Sequence, residues 1–517
     1  MNDIGDLRVD KIMPMLFEYW HKITLEECLI EQGISYSKLK QKEMNIKGKF
    51  PVVDQGEKLV SGYTDEESNI YRGKLPVIIF GDHTRRVKYI DFPFAVGADG
   101  TKLLHPFEAL NQKFFYYYLY SLKIESQGYS RHYKFLKQID VPIPPLNEQR
   151  RIVAKLEKLL AKVDACKERL DKIPAILKRF RQSILSAACS GRLTADWREN
   201  NPDIESAEEL LKRIYQERKK RYEDECTKAG MEGKKKPKKP KEFQLLKDHI
   251  LDIPKSWAVA YPEDICSPQD YSIGIGPFGS NLKVLDYTSD GVPLIFVRHI
   301  RSGNFTGLEP KYITTEKAQE LLPHMVEPLD LLITKMGEPP GDCEIYPIDR
   351  PNGIITSDCL KFRIWITDLE RVFFKHCINS FIIKDQLDLI TKGVAQQKIS
   401  VERFKFILFP VPALAEQQEI VRRVGKLFET ADKIEQRYQK AKAYLDQLTQ
   451  SILAKAFRGE LVPQDPNDEP ASVLLERIRI DRLTQETKTT KKSSAKKPKQ
   501  PHQSPPQQEL PLSGSKL

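Results

Sequence analysis

Residues 141–153 read VPIPPLNEQRRIV, and residues 408–421 read LFPVPALAEQQEIV. At one offset of 268 residues, without a gap, Pro142, Pro144, Leu146, Glu148, Gln149, Ile152 and Val153 meet Pro410, Pro412, Leu414, Glu416, Gln417, Ile420 and Val421. The likeness continues for roughly forty residues. It closes with Gln182, Ser183, Ile184, Leu185, Ala188, Gly191 and Leu193 matched to Gln450, Ser451, Ile452, Leu453, Ala456, Gly459 and Leu461. Self-similarity on this scale marks a duplicated structural unit.

Each copy reads as a helix with a narrow apolar seam. In the second, Ile420, Val424, Leu427, Ala431, Ile434, Tyr438, Ala441, Leu445, Leu448 and Ile452 alternate steps of four and three, the repeat of a coiled coil. The first keeps that register through Ile152, Leu156, Leu159, Val163, Cys166, Leu170, Ile173, Leu177, Phe180 and Ile184, and only Pro174 disturbs it, kinking or restarting the helix. Gly191 and Gly459 stand where a helix would stop. A lone stripe of this kind would pack on its own domain. Two copies, each too narrow for a globular core face, favour mutual pairing as rods. From Ile152 to Ile184 such a rod rises about 48 Å, longer than one turn of DNA at roughly 34–36 Å.

A globular head precedes each rod. Both heads mix short β-branched runs, PVIIF at 76–80, VPLIFV at 292–297 and DLLIT at 330–334, with Gly-rich turns, which predicts α+β structure. The reading divides the chain into a head (1–143), a helical region (144–222), a basic linker (223–247), a second head (248–411), a second helical region (412–482) and a disordered basic tail (483–517). Rods are alike and heads differ.

The 517 residues carry a net charge of +11, but MEGKKKPKKPK (231–241) and residues 481–517 contribute +5 each. The folded parts are therefore nearly neutral, so a nucleic-acid face must be a local patch. No window approaches the roughly 18 consecutive apolar residues of a membrane span, and the N-terminus lacks the order of a secretory signal, so a cytoplasmic location is expected. The eight cysteines are scattered, without a Cys-x-x-Cys pair or a zinc-ligand spacing.

Catalytic signals are scarce. Gly274, Gly276 and Gly279 form a Gly-x-Gly-x-x-Gly, but no helix is predicted after it to offer its N-terminus to a pyrophosphate. No P-loop is present, and the three Pro-Pro pairs (IPPL, EPPG, SPPQ) do not form the tetrapeptide of an adenine methyltransferase. Asp203, Glu208 and Glu209 suit a helix start better than a nuclease cluster.

Candidate DNA contacts cluster in four places. In the first head, GDHTRRVKY holds His83, Arg85, Arg86 and Lys88, and QGYSRHYKFL holds Arg131, His132 and Lys134 among aromatic rings. In the second head, VRHIRSGNF holds Arg298, His299 and Arg301, and ITKMG holds Lys335. At a position equivalent to QGYSRH, GVAQQKIS offers Gln396, Gln397 and Lys398, amides for adenine and a cation for phosphate. Dissimilar side chains at equivalent sites would read different half-sites.

These residues carry a family likeness. IPPLNEQRRIVAKLEKLLAKVD with KIPAILKRFRQSILSAACSGRLT, and VPALAEQQEIVRRV with QLTQSILAKAFRGELV, make the chain resemble the specificity subunit of type I restriction-modification systems over nearly its whole length. The resemblance implies two target-recognition domains of mixed α/β structure separated by two long helices that pair as an antiparallel coiled coil. It also implies that each recognition domain binds half of a split, asymmetric double-stranded DNA target. Two modification (methyltransferase) subunits and further restriction (endonuclease/translocase) subunits would dock, and S-adenosylmethionine, ATP and Mg would belong to those partners, leaving no cofactor, metal site or catalytic residue in this chain. The basic linker and tail are not parts of the shared pattern. A tandem protein-binding scaffold and a fused modification-restriction enzyme are the alternatives. Loss of complex formation without a DNA footprint would mark the first, and methyl transfer by the isolated chain the second.

Overall fold

The computed structural model describes residues 20–30, 36–98, 100–125, 131–233, 237, 239, 246, 251–306, 309–337, 339–365, 369–391 and 398–493. The chain forms two compact units, Met1–Arg169 with Ala441–Leu517 and Leu170–Lys440. The units therefore do not follow the linear order of head and rod. Each takes one head, the adjoining half of that head's rod and the far half of the other rod.

In the first unit, strand His21–Thr24 pairs antiparallel with Asp140–Ile143, Lys22 opposite Pro142, so the two ends of the head meet where the rod motif begins. Proline lacks the N–H that a second neighbour would need, which suits this two-stranded ribbon. A four-stranded sheet runs Lys38–Leu39, Ala95–Gly97, Phe50–Val53, Gly62–Thr64, and a three-stranded sheet runs Val87–Ile90, Val77–Gly81, Thr101–Leu104. Val77 to Gly81 are buried throughout, as the continuous apolar run PVIIF requires. Helix Gln112–Ser121 is capped by Asn111, whose side chain accepts the Phe114 N–H.

The second unit repeats the ribbon: Ala258–Ala260 pairs antiparallel with Phe409–Val411, Val259 opposite Pro410. One sheet runs Ile273–Ile275, Cys359–Phe362, Leu331–Thr334, Cys343–Ile345, and the other Tyr312–Ile313, Val292–Ile295, Gly353–Ile355, Met325–Val326. Of the three runs read as strands, PVIIF forms its strand in the first unit and DLLIT in the second, while VPLIFV is strand only over Val292–Ile295 and Val297 opens the short helix Val297–Ser302.

The first rod is helical over Leu146–Leu170, turns at Asp171 and Lys172, and restarts as Ile173–Cys189 with Pro174 in its first turn. Proline is tolerated there because its missing N–H would have had no helical partner. The second rod is one helix, Leu414–Phe457.

Pairing is antiparallel in each unit. In the first, Arg151 meets Asp468 (2.7 Å) and Lys167 meets Asp446 (2.8 Å). Ile152, Leu156 and Val163 share a core with Ile452, Leu453 and Phe457 and with Phe114 and Leu136 of the head. The Phe457 ring lies 5.3 Å from both Phe114 and Tyr118. In the second, Arg181 reaches Asp432 (2.7 Å) and Glu435 (2.9 Å), and Arg423 reaches Asp196 (2.6 Å). Leu185, Ala188 and Cys189 pack with Ile420, Val424, Phe374 and Phe409. Each fully buried aliphatic or aromatic side chain here contributes about 1.5–3 kcal/mol.

The seam is not uniform. Ile152, Leu156, Ile420 and Val424 are fully buried, whereas Phe180 and Ile434 stay 39% and 40% exposed and Cys166 is exposed. Where a head adds a third wall the large seam side chains are completely buried, and between the two helices alone the small Ala431 is still covered while Phe180 and Ile434 are not. Mutual pairing and packing on a head thus coexist.

Gly191 (φ 74°) and Gly459 (φ 71°) end the rods in the left-handed conformation. Beyond them, Ala207–Met231 starts with a capping box in which Ser206 and Glu209 exchange hydrogen bonds, the role expected of that acidic cluster. This helix runs nine residues into the segment expected to be linker. Helix Ala471–Ser493 likewise extends past residue 482, where the tail was expected to begin, because the sequence there lacks Pro and Gly until after the helix ends. Residues 494–517 and most of KKKPKKPK lie outside the described residues. Among the described residues, no helix is long and apolar enough to cross a membrane.

Candidate nucleic-acid interface

In the first head the strands Val77–Gly81 and Val87–Ile90 form a hairpin, with Phe80 opposite Val87. Its tip carries His83, Arg85 and Arg86. His83 is exposed, and its backbone N–H donates to Gln55 Oε1 (3.1 Å). Arg85 adopts φ 62°, and its guanidinium donates to the Ile124 carbonyl (2.8 Å). Arg86 is exposed and paired with Glu57 (2.9 Å). Arg131 and Lys134 are exposed, the latter 4.6 Å from the Phe135 ring centroid.

Two expected contacts of this head are corrected. Lys88 is 6% exposed; its ammonium donates to the Lys58 carbonyl and lies 3.7 Å from Asp54, and burial holds it below the usual lysine range. It points into the head because strand alternation puts Lys88 and Ile90 on the buried face. His132 is 1% exposed, with Nδ1 2.9 Å from the Asp82 carbonyl. Both are internal struts.

In the second head, Arg298 is exposed, lies 4.2 Å from the Phe296 ring centroid and donates to the Glu309 carbonyl (3.1 Å). Arg301 is half-exposed, paired with Asp342 (3.2 Å) and bonded to the Pro339 carbonyl (3.1 Å). Lys335 is partly buried, donates to the Ser357 carbonyl (3.0 Å), and is pushed below its ordinary pKa by that burial. Lys398 is exposed. His299 is a correction: 4% exposed, its Nδ1 accepts the Phe296 N–H (3.2 Å) and its ring packs against Phe296 and Phe305. Gln396 and Gln397 lie outside the described residues.

The Gly-x-Gly-x-x-Gly run begins inside strand Ile273–Ile275, at Gly274, and leads into turns rather than an α-helix. A Cβ on Gly276 would stand 2.1 Å from the Thr356 carbonyl, so a close backbone crossing requires this glycine.

The heads share a clasp that their sequences hide. In the first, the Asp82 N–H donates to the Gly100 carbonyl (2.7 Å), and the Asp82 carbonyl accepts the His132 N–H (3.0 Å). In the second, the Lys335 N–H donates to the Asp358 carbonyl (2.8 Å), and the Lys335 carbonyl accepts the Ile399 N–H (3.0 Å). Gly81 pairs with Thr101 and Thr334 with Cys359 in the same antiparallel arrangement. One hairpin design thus holds its tip between a neighbouring loop and the segment that leads to the rod; the tip is basic in the first head, whereas in the second Lys335 is the one basic residue of KMGEPPGD (335–342) and Arg298 and Arg301 lie on the short helix Val297–Ser302.

A second shared device joins head to rod. Trp20 Nε1 donates to Glu148 (3.1 Å), and Trp257 Nε1 donates to Glu416 (2.9 Å). Gln149 donates to the Pro144 carbonyl and accepts the Asn111 N–H; Gln417 does the same with Pro412 and Glu370. The repeated Glu-Gln pair is therefore a buried lock. The repeat exposed its positions, but not its tryptophan partners, which stand at unequal distances along the chain. Burial raises the Glu148 carboxyl above its ordinary pKa. Glu416 also accepts Thr194 (2.7 Å) and Arg198 (2.8 Å).

Two mixed α/β heads locked onto paired long helices define a DNA specificity subunit of type I restriction-modification systems, and the chain belongs to that family. The family model described as the type I restriction modification DNA specificity domain matches residues 18–175 and 357–443. The chain is 30% identical over 403 residues to the Type I restriction enzyme EcoBI specificity subunit of Escherichia coli, covering 75% of this chain and 74% of that one. It is 31% identical over 375 residues to the EcoDI specificity subunit of Escherichia coli, covering 70% and 72%. A solved chain described under complex assembly and conformational transition of the type I R-M system aligns with TM-score 0.50 and 16% identity over 87% of this chain and all of that one, a likeness of fold.

Proposed function

We propose that this chain is the noncatalytic address of a cytoplasmic type I restriction-modification complex. Each head binds one half of a bipartite, asymmetric double-stranded DNA target, and the paired rods set the gap. Two modification subunits and the restriction subunits dock on the chain, and S-adenosylmethionine, ATP and Mg are held by those partners. Arg85, Arg86, Arg131 and Lys134 in the first head, and Arg298, Arg301, Lys335 and Lys398 in the second, supply the DNA-facing cations; His83 supplies an imidazole, and Gln396 and Gln397 supply amides.

The observation that carries this reading is one hairpin clasp built twice with different side chains at its tip. Arg and Lys at such a tip reach phosphates or base edges. The test is adenine methylation across the genome of cells with and without this chain. A split motif that vanishes on deletion is the expected result. An unchanged methylation pattern would remove the reading.

A further inference from the structure

The two basic segments of the first head are 45 residues apart in sequence, yet one buried acid joins them. Asp82 is 2% exposed. Its backbone ties the hairpin to Gly100 (2.7 Å) and to His132 (3.0 Å), and its carboxylate Oδ1 accepts the Tyr133 N–H (2.8 Å). The His132 ring, 1% exposed, lies with Nδ1 2.9 Å from the Asp82 carbonyl. Three bonds therefore run from one residue to the segment that presents Arg131 and Lys134, and on the other side the same residue begins the tip that presents His83, Arg85 and Arg86.

Geometry of this kind matters for reading DNA. A bidentate contact to a base edge tolerates little displacement, and its loss relaxes discrimination at that position. Phosphate contacts by flexible cations survive small shifts. A residue that fixes the spacing between two sets of cations therefore acts on sequence discrimination more than on total affinity.

We infer that Asp82 is a positioning residue for the first half-site: its carboxylate, through the Tyr133 N–H, sets the distance between the Arg85–Arg86 tip and the Arg131–Lys134 segment. The inference rests on the reading of the heads as DNA-binding. At the equivalent place in the second head stands Lys335, whose backbone keeps the clasp while its side chain donates to Ser357, so the second half-site does not depend on a carboxylate there.

The experiment uses the full chain assembled with its modification subunits. Competition binding compares the methylation-defined target with duplexes carrying single-base substitutions in the first or the second half. Asp82→Ala is expected to lower discrimination in the first half roughly tenfold, leave the second half unchanged, and shift affinity for unrelated DNA by less than about twofold. Asp82→Asn keeps an oxygen that can accept the Tyr133 N–H and is expected to restore first-half discrimination to within about twofold of the original. Equal loss in both halves, no loss in either, or failure of the Asn variant to restore would overturn the inference. If Asp82→Ala does not assemble, the Asn variant alone decides: loss of first-half discrimination in an assembled Asp82→Asn complex overturns it. Should the unsubstituted complex itself bind all duplexes equally, the DNA-reading proposal fails instead, which separates the two failures.

Discussion

Glu416 stands at the junction of head and rod in the second unit, and replacing it by Ala should be among the most damaging single changes in that unit. The residue is 1% exposed. Its removal strips Trp257 Nε1, Thr194 Oγ1 and the Arg198 guanidinium of an acceptor, and Thr194 and Trp257 are themselves 0% and 6% exposed. Breaking a buried pair from one side costs about 3–5 kcal/mol, and each buried donor left unmet costs about 1–3 kcal/mol. The two overlap, so Glu416→Ala should cost about 4 kcal/mol. Glu416→Gln keeps an oxygen for Trp257 or Thr194 and loses the charge opposite Arg198, at about 2 kcal/mol. Glu148 is the matching test. It has Trp20 as its hydrogen-bond donor and a carboxyl that burial already raises, so Glu148→Gln should cost under about 1 kcal/mol. A two-unit chain does not unfold in one step, so hydrogen exchange of amides in Phe373–Phe374 and in Phe114–Phe115 should report each unit separately. Equal effects of Glu148→Gln and Glu416→Gln, or a cost under 1 kcal/mol for Glu416→Ala, would refute this account of the lock.

His376 is 8% exposed and pushed down to about 4, first by burial and then by Lys375, so it is neutral in the folded unit. Its contribution is present above pH 6.5 and lost as pH falls toward 4. Exchange protection in the second unit should drop by about 2 kcal/mol between pH 7 and pH 5, and His376→Leu should flatten that loss. Arg131→Ala should weaken binding or relax first-half discrimination without altering protection of the head, whereas Lys88→Ala should lower protection with little direct effect on DNA contacts; the reverse pattern in paired binding and exchange measurements would undo the assignment of Lys88 as internal. Exchanging residues 1–143 for the corresponding head of a relative should change one half of the methylated motif and leave the other as it was.

Much of the fold was legible because duplication made it redundant. The 268-residue offset located both rods and the terminal glycines, Pro174 marked a kink or restart that the structure shows to be a restart, and the apolar runs located the inner strands. The interleaving of units follows from the antiparallel pairing that the family resemblance implied; the individual residue pairs were not legible, since the partners of Ile152 lie some 300 residues away and one seam looks like another. The site was legible in part. Lys88 and His132 look like neighbours of Arg86 and Arg131 in a basic string, and only strand alternation and the Asp82 clasp turn them inward. Asp82 itself carries no signal in a one-dimensional pattern: its importance comes from Gly100 and Tyr133, which the fold brings to it. His299 was misplaced for a related reason: it lies in the six-residue helix Val297–Ser302, which gives little periodicity from which to predict its buried face.

The paired rods, as proposed, act as the ruler between two reading heads. The direct measurement is the methylated motif after inserting one heptad into each rod at matched positions, near Cys166 in the first and Tyr444 in the second. Seven residues add about 10 Å of helix, and DNA rises about 3.4 Å per base pair, so the gap between the half-sites should widen by one to three base pairs with both halves unaltered. A motif with its original gap, or with altered bases in either half, would contradict the account.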